Sequence, residues 1–128
     1  MGEHCELMVK EWKISRADQD QLAYESHQKA SQAFEEGFYE DLIVPFAGLK
    51  KDPITRKETS LEKLAKLKPA FDKSDKGTLT AGNSTPLTDG ASAVLLASEE
   101  WAKQNNLKVR AYLLDSEVAA NDFVGGAG

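Results

Sequence analysis

The chain has 128 residues, enough for one domain and short for two. With 41% apolar and 29% charged residues and a mean hydropathy of -0.48, its composition is that of an ordinary soluble globular protein. The net charge of -5 argues against general nucleic-acid binding, and no apolar run reaches the roughly 20 residues of a membrane span. The single cysteine, Cys5, cannot close an internal disulfide, and with His4 and His27 it supplies too few ligands for a structural zinc site. The opening MGEHCELMVKEW is polar and acidic, unlike a secretory signal or a transit peptide, so the expected compartment is reducing and cytoplasmic.

In chain order, residues 3–13 read as a short amphipathic helix with Cys5, Met8 and Trp12 on one stripe. Ser15 followed by Asp18 is close to a capping box and opens a second helix running to about Glu36. Ala23, His27, Ala30 and Phe34 line its inner face, and Gly37 stands where a helix-ending glycine is expected. Leu42-Ile43-Val44 reads as a short strand that Pro45 ends. Residues 47–58 have no period and read as a loop.

Thr59 and Glu62 form a capping-box pattern for a short helix stopped by Pro69. A polar turn, DKSDKG, leads into the small-residue segment TLTAGNSTPL. Thr88 is then the expected cap of a helix from Gly90 to about Gln104, ended by Asn105-Asn106. Val109 to Leu114 reads as a buried strand, and Gly125-Gly126-Ala127-Gly128 as a loop or truncation point. One helix and one buried strand imply a sheet whose other strands are barely represented, so the chain reads as a piece of something larger.

Charge is uneven along the chain. Residues 50–76 carry nine Lys or Arg against five acids, whereas 1–49 are net -6 and 77–128 net -3. This basic island is either a solvated loop and helix or a docking surface for a small anion such as a phosphate. Cys5 fits a helix stripe better than a nucleophile, because adjacent His4 does not face it on a helix. His27 has no second ligand at i+3 or i+4 and reads as a packed or interface histidine. The stretch from Gly77 to Ala93 holds no nucleotide motif. Its small residues suit either a ligand chain lying on backbone or tight packing of a helix on a sheet.

GTLTAGNSTPLTDGASAVLL (Gly77 to Leu96), preceded by LEKLAKLKPAF (Leu61 to Phe71), strongly resembles the thiolases. The opening, with its Met-Gly start and its Ile-Ser-Arg, Gln-Asp and Ser-His-Gln pattern, is similar to the same family, and DLIVPF falls where that family has a strand. The resemblance runs in order from residue 1 to about 118, and STPLTDGASA is most like the branch that includes the beta subunit of the trifunctional fatty-acid oxidation complex. It implies an α/β thiolase fragment: a helix-rich coenzyme A-binding loop domain at 1–77, then a helix and a strand from the truncated end of the N-terminal core domain at 78–128.

The family resemblance implies acyl transfer to and from coenzyme A in fatty-acid metabolism, by a homo-oligomeric enzyme with no tightly bound cofactor or metal. The acyl-CoA is substrate. Thiolases use a nucleophilic Cys, a second Cys and a His in Gly-His-Pro and Cys-Gly-Gly type motifs, none of which occurs here. The resemblance therefore assigns no catalytic residue, and the expectation is a chain inactive alone that needs the rest of the thiolase chain. For coenzyme A it assigns Met1 beside the acyl and pantetheine tunnel and Arg56 at the nucleotide end. Leu67 and Phe71 line the adenine and pantetheine groove, while Ala81, Gly82 and Thr85 lie in the loop touching pantetheine. Two sites depart from biosynthetic members: Lys63 replaces a small Ser, and Thr85-Pro86 replaces Ser-Gly. The stretch between Phe46 and Arg56 is also shorter.

A rival reading from another class is a non-catalytic module for protein interaction or self-association. It would use the apolar face of helix 90–104, with Leu95, Leu96 and Trp101.

Overall fold

A computed structural model describes residues 1–120; the expected loop at 125–128 lies outside them. The chain divides into two compact units, one of Met1–Leu87 and a second that begins at Thr88.

The first unit holds α1 (Gly2–Glu11), α2 (Arg16–Glu35) and α3 (Leu61–Ala65). α2 starts as the sequence predicts. Ser15 Oγ accepts from the Asp18 amide at 3.1 Å, and the Asp18 carboxylate accepts from the Ser15 amide at 3.3 Å, which completes the capping box. Its end is also as predicted: Gly37 takes φ 76°, while the Phe38 amide reaches Ala33 O at 3.0 Å. α1 closes with the same geometry on Lys13 at φ 55°, where the Ile14 amide donates to Val9 O at 3.0 Å. Along α2, Ala23, His27, Ala30 and Phe34 are half-buried, with buried Asp20 and Ser31 on the same face.

The α1 stripe is displaced from the expected one. Glu6 and Val9 are buried, whereas Cys5 and Trp12 are exposed. The cause is polar: the Glu6 carboxylate is drawn inward by backbone amides of the 78–79 segment, and this rotates Cys5 outward. α3 is capped by Ser60, one residue beyond the expected Thr59, with Ser60 Oγ accepting from the Lys63 amide at 3.3 Å.

Leu42–Val44 is not a strand. The Leu42 and Ile43 amides both bond back to Tyr39 O at 3.0 Å, so local turns take the donors a ladder requires. Strand-like pairing appears instead at Phe46 and Leu49, which exchange hydrogen bonds of 3.1 and 2.9 Å across Ala47 (φ 49°) and Gly48 (φ 85°). Positive φ at both central residues marks a tight hairpin turn of the primed type. The buried apolar core of the unit is small: Val9, Leu64 and Leu79.

In the second unit, α4 spans only Glu99–Gln104. The expected helix from Gly90 does not form, and the cap is Ser98, not Thr88, with Ser98 Oγ accepting from the Trp101 amide at 3.2 Å. Gly90 to Leu96 are exposed throughout. A helix start there would bury nothing to offset the cost of nucleation, whereas Ser98, Glu99 and Glu100 supply a cap and favourable charge. Asn106 ends α4 at φ 53°, as the sequence predicts. Val109 to Leu114 is not paired into a ladder among the described residues, because a strand obtains its hydrogen bonds from a neighbour, not from itself.

Candidate functional site

Within the first unit, the chain after α3 runs antiparallel to the small-residue segment. Pro69 and Thr80 form a bridge, and the Ala70 amide donates to Leu79 O at 2.8 Å. This pairing sets the turn Thr80–Asn83 against Leu64 and Leu67. The approach is close: a Cβ on Gly82 would lie 2.5 Å from Leu67 Cδ1 and 2.6 Å from Leu64 Cδ2. Only a residue without a side chain lets backbone meet those leucines.

A second close approach lies at the start of α1. A Cβ on Gly2 would sit 2.2 Å from the Phe71 ring, so the residue that follows exposed Met1 packs against Phe71. Lys10 of the same helix bonds Asp72 at 2.5 Å, one residue past Phe71. That ammonium hydrogen bond, with further donors from Ser74, holds the Asp72 carboxyl well below the usual carboxylate range. The same bond raises the Lys10 pKa.

The turn is held by side chains that sequence reasoning missed. Glu6 accepts from the amides of Thr78 (2.9 Å) and Leu79 (2.8 Å) and from the Thr78 hydroxyl (3.1 Å). Asn83 accepts from the Thr80 amide at 2.7 Å and donates to Asp20 Oδ1 at 3.0 Å and Thr78 O at 3.1 Å. Arg16 pairs with Asp20 at 2.8 Å and donates to Leu64 O at 2.5 Å and Leu67 O at 3.3 Å, so it satisfies carbonyls at the end of α3. Gln19 reaches the Thr78 hydroxyl at 3.2 Å. No local sequence signal pointed here, because the partners of Glu6 lie more than 70 residues along the chain.

The structure thus brings Gly82 onto Leu67 and places Met1 next to the Gly2–Phe71 contact. Ala81 is exposed beside Gly82, and Thr85 is exposed with its hydroxyl 3.4 Å from Pro86 O. The hydrogen bonds described for the other two assigned positions do not join them to this turn. Lys63, on α3, folds its ammonium back onto Glu58 O at 2.6 Å. Arg56 is tied to α2 through its backbone, the amide donating to His27 Nδ1 at 3.3 Å. Neighbouring Lys57 pairs with Glu35, which raises the Lys57 pKa, and its carbonyl accepts from Gln28 at 3.1 Å. A groove lined by Ser31, Phe34, Tyr39, Ile43, Lys50 and Lys57 holds none of the assigned positions. Among the described residues no cluster of His, Cys, Asp and Glu is arranged to hold a metal, and no helix is long and apolar enough to cross a membrane.

The chain belongs to the thiolases: the family described as "Thiolase, N-terminal domain" matches residues 1–100. It is 44% identical to a 3-ketoacyl-CoA thiolase of Yersinia enterocolitica and to one of Serratia proteamaculans, each match covering 95% of this chain. Among solved structures, the Bacillus anthracis acetyl-CoA acetyltransferase superposes with a TM-score of 0.73 at 41% identity, over 84% of this chain and 29% of that one. The acetyl-CoA acetyltransferase from Syntrophomonas wolfei gives 0.68 at 30% identity over the same shares. These neighbours support the α/β thiolase fold class. The chain spans 29% of the length of the curated relatives it matches.

Proposed function

We propose that this chain is the coenzyme A-binding segment of a thiolase-type acyltransferase that interconverts acyl-CoA plus acetyl-CoA with 3-ketoacyl-CoA plus CoA. The observation that carries the reading is the pair of close approaches, Gly82 on Leu67 and Gly2 on Phe71. They press Leu67 against the Gly82 turn and Phe71 against the start of α1. In this reading the exposed parts of both side chains offer an apolar surface to the slender pantetheine arm, with Met1, Ala81 and Thr85 close by in the chain. Leu67 and Phe71, each about two-fifths exposed, present the apolar side.

Arg56, Lys63 and the other cations of 50–76 meet the nucleotide phosphates, each shielded charge-assisted bond being worth about 1.5–3 kcal/mol. Residues 1–77 are the loop domain in this reading and 78–128 the end of the core domain. The sequence has no Gly-His-Pro or Cys-Gly-Gly type motif, so these residues do not catalyse alone. The rest of the thiolase chain supplies the nucleophile and acid–base groups. The exposed lone thiol of Cys5 suits a reducing, cytoplasmic setting.

Isothermal titration of the chain with coenzyme A at low salt tests this, with sedimentation mass measured alongside. Weak binding that fades with added salt and drops in Arg56→Ala is the expected result. A folded chain that gives no heat at millimolar coenzyme A defeats the reading for the chain in isolation.

A second reading is favoured by one observation: Leu95 and Leu96 are 74% and 73% exposed. Adjacent exposed leucines promote self-association, without the full helix 90–104 first expected to carry them. Concentration-dependent dimerisation with no response to coenzyme A supports this alternative.

A further inference from the structure

Two carboxylates in the first unit are almost fully buried, Glu6 at 2% exposure and Asp20 at 3%. Asp20 has Arg16 as its counter-ion. Among the described residues, no Lys, Arg or His nitrogen lies within ion-pair distance of Glu6. Lys10, one turn on, feels the Glu6 charge but makes no ion pair with it, and burying a carboxylate without a direct ion pair is costly unless several donors converge on it. Three do: the amides of Thr78 and Leu79 and the Thr78 hydroxyl, at 2.8–3.1 Å.

Two consecutive amides can share one carboxylate only in a narrow range of backbone conformations, so Glu6 fixes the chain at 78–79. The next bonds follow from that. Leu79 O is aimed at the Ala70 amide, the Thr80 amide at Asn83 Oδ1, and the Gly82 amide at Thr80 Oγ1 at 3.1 Å. Gly82 then lies on Leu67. Glu6 is also on the helix whose N-terminus carries Met1 and abuts Phe71, so one carboxylate links the Gly82–Leu67 contact to the helix that meets Phe71.

We propose that Glu6 is a positioning residue for coenzyme A: from α1 it fixes the Thr78–Leu79 backbone and so the turn on which the pantetheine arm lies. This rests on the pantetheine reading above. Hydrogen bonds to a charged acceptor are stronger than neutral ones, and a glutamine offers these amides only one oxygen, turning an NH2 group toward the remaining donors.

The test titrates the 128-residue chain and its Glu6→Gln variant with two probes, coenzyme A and adenosine 3′-phosphate 5′-diphosphate, which is the nucleotide end without pantetheine. The expected result is a preference for coenzyme A that falls about tenfold in E6Q while the nucleotide affinity stays. An unchanged preference, or an equal fall for both probes, overturns the proposal.

Amide hydrogen exchange separates this from failure of the pantetheine reading. If the native chain does not prefer coenzyme A to the nucleotide, that reading fails, and exchange decides the role of Glu6. E6Q must then speed exchange at Thr80 and Gly82 by about tenfold and leave α2 unchanged. No change there, or equal loss through α1 and α2, overturns the proposal. Should E6Q not fold, Thr78→Val removes the hydroxyl's bonds to Glu6 and Gln19 while keeping both amide bonds to Glu6. It must speed the same two amides to a smaller degree, whereas Gln19→Ala, which removes only the Gln19 bond, must not. Unchanged amides in Thr78→Val, or an equal effect of Gln19→Ala, count against the proposal.

Discussion

The two units reach their structures by different means. Residues Met1–Leu87 bury only three apolar side chains outright, yet long-range polar bonds from Glu6, Arg16, Gln19 and Asn83 lock their loops to their helices. The described residues from Thr88 to Ala120 have one six-residue helix and exposed aliphatics, and their side-chain bonds reach no more than four residues along the chain. The comparison teaches that helix and strand signals, present in both units, are not sufficient. What separates the units is whether a neighbouring element receives the buried groups.

Changes to the first unit should therefore be costly and changes to the second cheap. Leu64→Ala, at the best-buried apolar side chain, should lower stability by about 3 kcal/mol in a urea melt. Gly77→Ala comes next. Its Cβ would fall 1.9 Å from Asp72 O, a backbone atom, and overpacking of that kind costs about 2 kcal/mol. A melt unaltered by either change would mean that the first unit is no better packed than the second.

The Lys10–Asp72 bond predicts a pH dependence with a definite sign. The Asp72 pKa is lowered in the folded chain, so its contribution is complete above the ordinary value of 3.8 and is lost only as pH falls through the lower folded value. NMR titration of the Asp72 carboxyl should show it ionised below that ordinary value, and Lys10→Met should return its midpoint toward 3.8. No movement in the variant would assign the shift to Ser74 alone.

Smallest of all is Leu95→Ser with Leu96→Ser, which should change stability by less than about 0.5 kcal/mol because both are largely exposed. The pair should instead reduce any self-association seen in sedimentation. A large loss of stability would mean that the second unit buries them.

Much of the first unit was legible in the sequence. Ser15, Asp18 and Gly37, like Asn106 in the second unit, act within one or two turns of the residues they cap, and local signals of that kind need no knowledge of the fold. The thiolase pattern was legible too, and the family match over 1–100 agrees with it. Glu6 was not, because what turns it inward is a pair of amides more than 70 residues away. Cys5 was misplaced for the same reason: an apolar stripe cannot register that its neighbour holds the buried position. Thr88 was a sound cap for a helix that had nothing to pack against.

By itself, then, the sequence determined the family, the start and stop of α2, and the small-residue run that permits backbone to approach leucine. Those properties reside in side-chain size, hydroxyl position and the conformational freedom of glycine, all local to the chain. Only the tertiary structure decided which face of α1 turns inward, which loop meets which helix, and that the 90–114 region stays short of a full helix and strand. Each of those outcomes depends on where donors, acceptors and apolar surface lie on a distant segment, and a strand or a helix flank has no stable form until such a partner is in place.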